Sequence, residues 1–157
     1  MGAADGAIFT RQRVKVSGFD VAYLTGGHDG DMTPVLCLHG MGGAGRWEAY
    51  HMALGTIART YVPQLPGWPE GQPPAGIGSV RDYAALVVAF LDAVGVDQAT
   101  LVGHSIGAWI ALYVATTYPD RVARLILVDA MGIEVPSAPA PDLRRLEIGR
   151  ASCRERV

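Results

Sequence analysis

The hydrophobic positions of this chain form short continuous runs that alternate with stretches of helical spacing. Apolar runs of the length typical of buried strands occur at residues 35–38, 60–62, 99–102 and 125–128. Helical spacing follows at residues 80–94 and again after Ser105, up to about Tyr118, where Pro119 ends the helix. Strands that alternate with helices predict an α/β fold whose mostly parallel sheet is covered by helices on both faces.

The first two strands have a different connection. Residues 13–16 and 21–24 predict strands, and residues 17–20 (Ser-Gly-Phe-Asp) predict the turn between them. A connection this short joins only antiparallel neighbours. We therefore expect an N-terminal antiparallel hairpin at one edge of the sheet.

Apolar spacing and capping residues predict the first two helices. Trp47, Tyr50, His51 and Leu54 follow one another at helical spacing, which predicts a helix with one buried face. Ser79 and Asp82 form a capping box at the start of the second helix, and Gly95 ends that helix. Its predicted buried stripe consists of Tyr83, Val87, Phe90, Leu91 and Val94.

The composition of the chain limits the classes of function that we expect. The chain has 157 residues, 50% of them hydrophobic and 18% charged, and a formal net charge of −2, which is typical of one globular domain. Without a basic stripe, neither nucleic acid nor an anionic membrane is an expected partner. Residues 1–20 contain no apolar segment typical of a signal peptide, so we expect a cytoplasmic protein. Cys37 and Cys153 form no CxxC motif, and we expect neither a disulfide nor a metal site.

The most informative stretch is the turn Gly103-His104-Ser105-Ile106-Gly107, which follows a predicted strand and precedes a helix. Gly-x-Ser-x-Gly in this context predicts a nucleophilic serine on a tight turn, with helix N–H groups near the developing oxyanion. The alternative is a serine that only caps the helix.

A second glycine-rich loop spans residues 40–45 and matches G-x-G-x-x-G after a strand. That pattern is also typical of dinucleotide binding, which requires an acidic residue about 20 positions further on. Pro63 and Gln64 occupy that place, and a hairpin precedes the strand. Dinucleotide binding therefore stays only as an alternative.

Both loops together resemble the α/β-hydrolase superfamily. The resemblance starts from His39-Gly40-Met41-Gly42 and the Ser105 turn, continues through residues 109–112, 118–122 and 125–130, and covers about residues 10–133. It implies a cofactor-free serine hydrolase that acts on a small ester or ketone substrate. An acyltransferase or lyase on the same scaffold is the alternative. Gln64 departs from the pattern, because an Asp is common there.

The resemblance implies that Ser105 is the nucleophile and that the backbone N–H groups of Met41 and Ile106 form the oxyanion hole. It gives neither His39 nor His104 the role of base, and we expect structural hydrogen bonds from both. His28 and His51 are expected in a loop and on a helix surface. Asp129, at a strand end, is a possible acid.

The order of the triad in this superfamily is serine, acid, histidine, yet no histidine follows Ser105. Residues 147–157 match, over all eleven positions, a translated sequencing-library adapter whose reading frame stops after Val157. The alternative is an ordinary disordered tail rich in arginine. From the match we expect three segments: the N-terminal part of a hydrolase core at residues 1–133, the start of a cap or linker at 134–146, and a non-native tail at 147–157. We expect the chain itself to be nearly inactive.

Overall fold

The structure is a computed structural model that describes residues 9–68 and 73–133. The strands are β1 (Thr10–Val16), β2 (Phe19–Gly26), β3 (Val35–Leu38), β4 (Thr60–Pro63), β5 (Ala99–His104) and β6 (Val122–Val128). The helices are α1 (Ala49–Gly55), α2 (Val80–Ala93) and α3 (Ile106–Thr117), followed by a 3-10 turn at Pro119–Arg121. The predicted segments 134–146 and 147–157 lie outside the described residues.

In the described chain the strands form one sheet in the order β1-β2-β4-β3-β5-β6. The β4–β3, β3–β5 and β5–β6 pairs are parallel, whereas the β1–β2 and β2–β4 pairs are antiparallel. The predicted fold class, a mostly parallel α/β sheet with an antiparallel hairpin at one edge, is confirmed.

The hairpin turn is tighter than predicted. Ser17 and Gly18 both have positive φ, at 49° and 87°, and Val16 pairs directly with Phe19. The turn therefore has two residues, with the positive φ angles that suit the twist of a hairpin. The sequence-based boundary was wrong because Phe19 and Asp20 already belong to β2.

Each face of the sheet has its own apolar core. On one face Leu36 and Leu38 pack with residues of α2 and α3, and on the other Val35 and Cys37 pack with Trp47 and the α1 side. This alternation along β3 follows from the two-residue period of a strand. It confirms that both faces of the central strands are covered.

The cap of α2 is confirmed. The Ser79 hydroxyl accepts a hydrogen bond from the Asp82 N–H, and the Asp82 carboxylate accepts bonds from the Ser79 hydroxyl and the Gly78 N–H. Gly95 follows with a φ of 71°, a left-handed conformation that suits glycine. The sequence-based bounds of α2 were therefore right to within one residue.

The first helix and β6 differ in burial from what their sequence patterns alone predict. Of the stripe predicted for the first helix, Trp47 precedes α1 and Tyr50 is 43% exposed. His51 is 3% exposed, which agrees with its place in that stripe and not with the expectation of a surface histidine. The apolar run of β6 is typical of a buried strand, but Ile126 and Val128 are 46% and 43% exposed, as expected of a sheet edge that no further described strand covers. The reason for β6 is topological, since it is the edge strand of the described sheet and pairs there with β5 alone.

Candidate active site

Ser105 lies between β5 and α3, at the carboxyl edge of the central parallel strands. Its φ and ψ are 55° and −118°, a conformation that non-glycine residues rarely adopt. Backbone bonds hold it on both sides, because its N–H donates to the Val128 carbonyl and its own carbonyl accepts from the N–H of Ala108 and of Met131. The half-buried serine is thus raised on a strained strand-to-helix turn, as the sequence predicts.

The flanking glycines permit this turn to pack closely. A Cβ at Gly107 would lie within 3 Å of the carbonyl oxygens of Leu38 and His39, and one at Gly103 would lie within 3 Å of Ala108. Backbone atoms cannot move aside as a flexible side chain can. Glycine is therefore required at both positions for the start of α3 to approach β3 and β5.

The loop at residues 40–45 reaches the same place. A Cβ at Gly40 would lie 3.3 Å from the Cβ of Ser105 and 2.8 Å from Nδ1 of His104. Among the described residues, the N–H groups of Met41 and Ile106 donate no hydrogen bond. The structure thus brings the two turns together, with two free backbone donors on segments that flank the serine.

His39 is a structural residue, as expected. Its ring is buried, its Nε2 accepts a hydrogen bond from the Leu65 N–H at 2.9 Å, and its Nδ1 lies 2.7 Å from the Gly40 carbonyl oxygen. Since a backbone N–H can only donate and a carbonyl can only accept, Nδ1 carries the proton of a neutral imidazole. Burial lowers the pKa of His39, which favours that neutral form.

His104 and Asp129 lie beside the serine turn in a different environment. The His104 Nε2 is 3.9 Å from the Asp129 carboxylate, and the two side chains are 51% and 86% exposed. This separation exceeds a hydrogen bond, so the structural bond expected of His104 is not seen among the described residues. Asp129 has a φ of 46° and stands at the end of β6, where its assignment as a possible acid remains a prediction.

A cavity of about 570 Å³ opens beside the glycine loop, lined among others by His39, Gly40, His104, Glu48 and His51. The His51 Nδ1 accepts a hydrogen bond from the Glu48 N–H, and burial lowers the pKa of this imidazole to about 4. Its Nε2 has no partner among the described residues. His51 is therefore a neutral group on the buried face of α1.

Other chemistries find less support in the described part of the chain. Burial raises the pKa of the Cys37 thiol to about 12, so this cysteine stays protonated and is not an alternative nucleophile. Residues 9–68 and 73–133 contain no group of three or more His, Cys, Asp or Glu arranged to hold a metal ion.

None of the described helices is long and apolar enough to cross a bilayer.

The geometry of the glycine loop also bears on dinucleotide binding. In that motif the glycine loop passes straight into a helix whose N-terminus receives the phosphates. Here α1 begins only at Ala49, after residues 46–48, and has seven residues. Instead, the backbone of this loop lies against the serine turn at Gly40, close to Ser105.

Comparison with known proteins gives the family. Residues 33–151 match the model of the alpha/beta hydrolase fold family. The chain therefore belongs to this family, in agreement with its sheet order and its serine turn.

The proteins to which this chain is similar have several different activities. The chain is 35% identical over 108 residues, 66% of its length, to a 2-hydroxymuconate semialdehyde hydrolase from Pseudomonas sp. (strain CF600), of which it covers 38%. It is 33% identical over 123 residues, 78% of its length, to a dihydrolipoyllysine-residue acetyltransferase component of an acetoin cleaving system from Pseudomonas putida, of which it covers 33%. A crystal structure of a membrane phospholipase A, described as a bacterial virulence factor, superposes with a TM-score of 0.73 at 29% identity, over 80% of this chain and 41% of that one. The chain thus spans between a third and two fifths of the length of these curated relatives.

Proposed function

We propose that Ser105 is the nucleophile of a hydrolase that cleaves an ester or an activated carbon–carbon bond next to a ketone. The observation that carries the proposal is the strained backbone of Ser105 at the junction of β5 and α3, with Gly40 packed against it. Strain of this kind costs about 1–3 kcal/mol and persists where function requires it. A serine that only caps a helix needs no such conformation, and the Ser105 side chain makes no capping bond to α3.

In the proposed reaction the Ser105 Oγ attacks the carbonyl carbon of the substrate and loses its proton to a base. The negative charge that develops on the carbonyl oxygen is stabilised by the N–H groups of Met41 and Ile106. Each such donor contributes about 3–4 kcal/mol to the transition state. For an ester, the base gives that proton to the leaving alkoxide, which departs as the alcohol and leaves the acyl group on Ser105. Water then attacks the acyl carbon and loses a proton to the base, which returns it to the Ser105 oxygen as the carboxylic acid leaves.

The base is a separate requirement. Within the described residues, no side chain hydrogen-bonds to the Ser105 hydroxyl, and His104 is half-exposed and not directed to it by a hydrogen bond. A serine without its base retains only residual catalysis. We therefore propose that the 157-residue chain turns over esters very slowly, and that a complete enzyme draws its acid and base from further residues.

The experiment uses the native gene. Its sequence beyond codon 147 is determined, its full reading frame is expressed, and hydrolysis of p-nitrophenyl acetate is measured beside the 157-residue chain. We expect the full protein to be active, Ser105→Ala to lower kcat at least about a thousandfold, and Ser79→Ala, a cap serine on another helix, to retain activity. Unchanged turnover in Ser105→Ala would refute the proposal, and fast Ser105-dependent turnover by the 157-residue chain would refute the proposed inactivity.

Acyl transfer is the second candidate, and the similarity to the acetyltransferase component supports it. Transfer and hydrolysis share the acyl-enzyme step and differ in whether water or another nucleophile accepts the acyl group. Adding an alcohol or thiol acceptor to the assay separates them. A transferase forms the new ester or thioester in preference to the free acid, whereas a hydrolase forms the acid.

A further inference from the structure

Gln64 stands directly after β4, at the position where the sequence departs from the common Asp, and its side chain connects two loops. Its carboxamide oxygen accepts a hydrogen bond from the Ala44 N–H at 2.6 Å, and its amide nitrogen donates to the Trp68 carbonyl at 2.8 Å. One side chain thus bonds to the glycine loop with one end and to residues 65–68 with the other.

The glycine loop is shaped to receive this side chain. Gly43 has a φ of 74°, and a Cβ there would lie 2.9 Å and 3.1 Å from the two polar atoms of the Gln64 carboxamide. Gly43 therefore lies in close contact with the amide plane, and its left-handed backbone angle favours glycine at this position. The contact and the hydrogen bond to Ala44 act on adjacent residues of the loop.

The far end of this connection is well anchored. Leu65 is buried, and the Pro66 carbonyl accepts a hydrogen bond from the Tyr83 hydroxyl of α2 at 2.8 Å. The Leu65 N–H also donates to His39, which in turn bonds to Gly40. Residues 65–68 are thus tied to the protein core and can serve as a fixed support for the glycine loop.

We propose that Gln64 is a positioning residue that sets the placement of the Met41 N–H by holding Gly43 and Ala44 on the support formed by residues 65–68. The role in catalysis rests on the proposed function above, in which the Met41 N–H faces the oxyanion. An amide suits this place because it both donates and accepts, while an ionised carboxylate only accepts. Gln64 therefore bonds to an N–H and a carbonyl at once, which Asp or Glu at neutral pH cannot do.

The test is two-dimensional NMR with amide hydrogen exchange on the 157-residue chain, which needs no catalytic activity. In the wild type, the Ala44 N–H is expected to exchange more slowly than the Gly42 N–H, which has no partner among the described residues. Gln64→Met, which keeps the length and removes both hydrogen bonds, is expected to speed Ala44 exchange about fivefold to tenfold and to shift the Met41 amide signal. The Ile106 amide, on the other turn, is the internal reference and is expected to stay in place.

Two further variants separate positioning from general destabilisation. Gln64→Glu keeps the acceptor for Ala44 and loses the donor to Trp68, so its Met41 shift is expected to lie between those of the wild type and Gln64→Met. Gln98→Glu is the matched control, because Gln98 also donates to a backbone carbonyl, that of Asp120, but on the exposed surface. It is expected to leave Met41 and Ala44 unchanged.

An unchanged Met41 signal in both Gln64 variants would overturn the proposal, as would shifts of equal size at Met41 and Ile106. If Gln64→Met does not fold, Gln64→Glu and the wild-type exchange of Ala44 against Gly42 decide the question. These results do not depend on the assay of Ser105, so a failed nucleophile and a failed loop support are told apart.

Discussion

The two glycine-containing turns at the candidate site are held in place by different parts of the chain. The Ser105 turn is held by backbone, since Gly103 and Gly107 pack against main-chain atoms and Ser105 bonds to the main chain of β6. The loop at residues 40–45 is held by the side chains of Arg11, His39 and Gln64, which bond to Gly45, Gly40 and Ala44 respectively. A main-chain contact depends on the fold alone, whereas a side-chain contact depends on two residue identities. The first turn should therefore be rigid and the second adjustable.

The largest expected effect is at Gly107. Gly107→Ala places a methyl group against the carbonyls of Leu38 and His39, and because neither can move without moving β3, we expect a loss of about 3 kcal/mol in the free energy of unfolding. Urea unfolding measures it. Gly42→Ala is the matched control in the other loop, where a Cβ has no described atom within 4 Å, and it should stay within about 0.5 kcal/mol of the wild type. Equal effects of the two substitutions would contradict the comparison.

Acid should lower the stability of the whole fold through the buried histidines that line the cavity beside the glycine loop, His51 and His39. Burial lowers the pKa of His51 to about 4, whereas an unfolded imidazole titrates near 6.5, so the unfolded state binds more protons between these values. Stability is therefore complete above pH 6.5 and falls as the pH decreases toward 4. From the His51 shift alone we expect a loss of about 2 kcal/mol between pH 7.5 and pH 5, and His39 acts in the same direction.

Thermal or urea unfolding at several pH values checks this slope. His51→Gln, which has no imidazole to titrate, should flatten the dependence. His28→Gln changes an exposed loop histidine and should leave the slope as it is. A slope that His51→Gln does not alter would show that other groups cause the acid sensitivity.

The smallest expected effect concerns the strain at Ser105. Ser105→Gly removes about 1–3 kcal/mol of backbone strain and adds about 0.5–1 kcal/mol of glycine entropy, so we expect a net gain of about 1 kcal/mol in stability. Ser105→Ala keeps the same backbone constraint and should change stability by less than about 0.5 kcal/mol. If glycine is less stable than alanine at this position, the turn is not strained.

Much of the fold followed from local patterns. The cap formed by Ser79 and Asp82, the continuous run of β3 and the strand-turn-helix around Ser105 were correctly predicted, because each depends on residues within a few positions of one another. Local patterns alone did not give burial where the surroundings decide it. The exposure of β6 depends on its place in the sheet order, and the burial of His51 depends on the direction in which α1 packs.

By itself the sequence determined the alternation of strands and helices, the hairpin and the turn that presents Ser105, since spacing and glycine content are local properties. Only the tertiary structure decided how the second loop is held. The Gln64 bond to Ala44 spans 20 residues and the His39 bond to Leu65 spans 26. No periodicity marks such pairs, because they meet only when β3 and β4 lie side by side in the sheet. In the sequence Gln64 was a departure from a family pattern, and in the structure it links the glycine loop to residues 65–68.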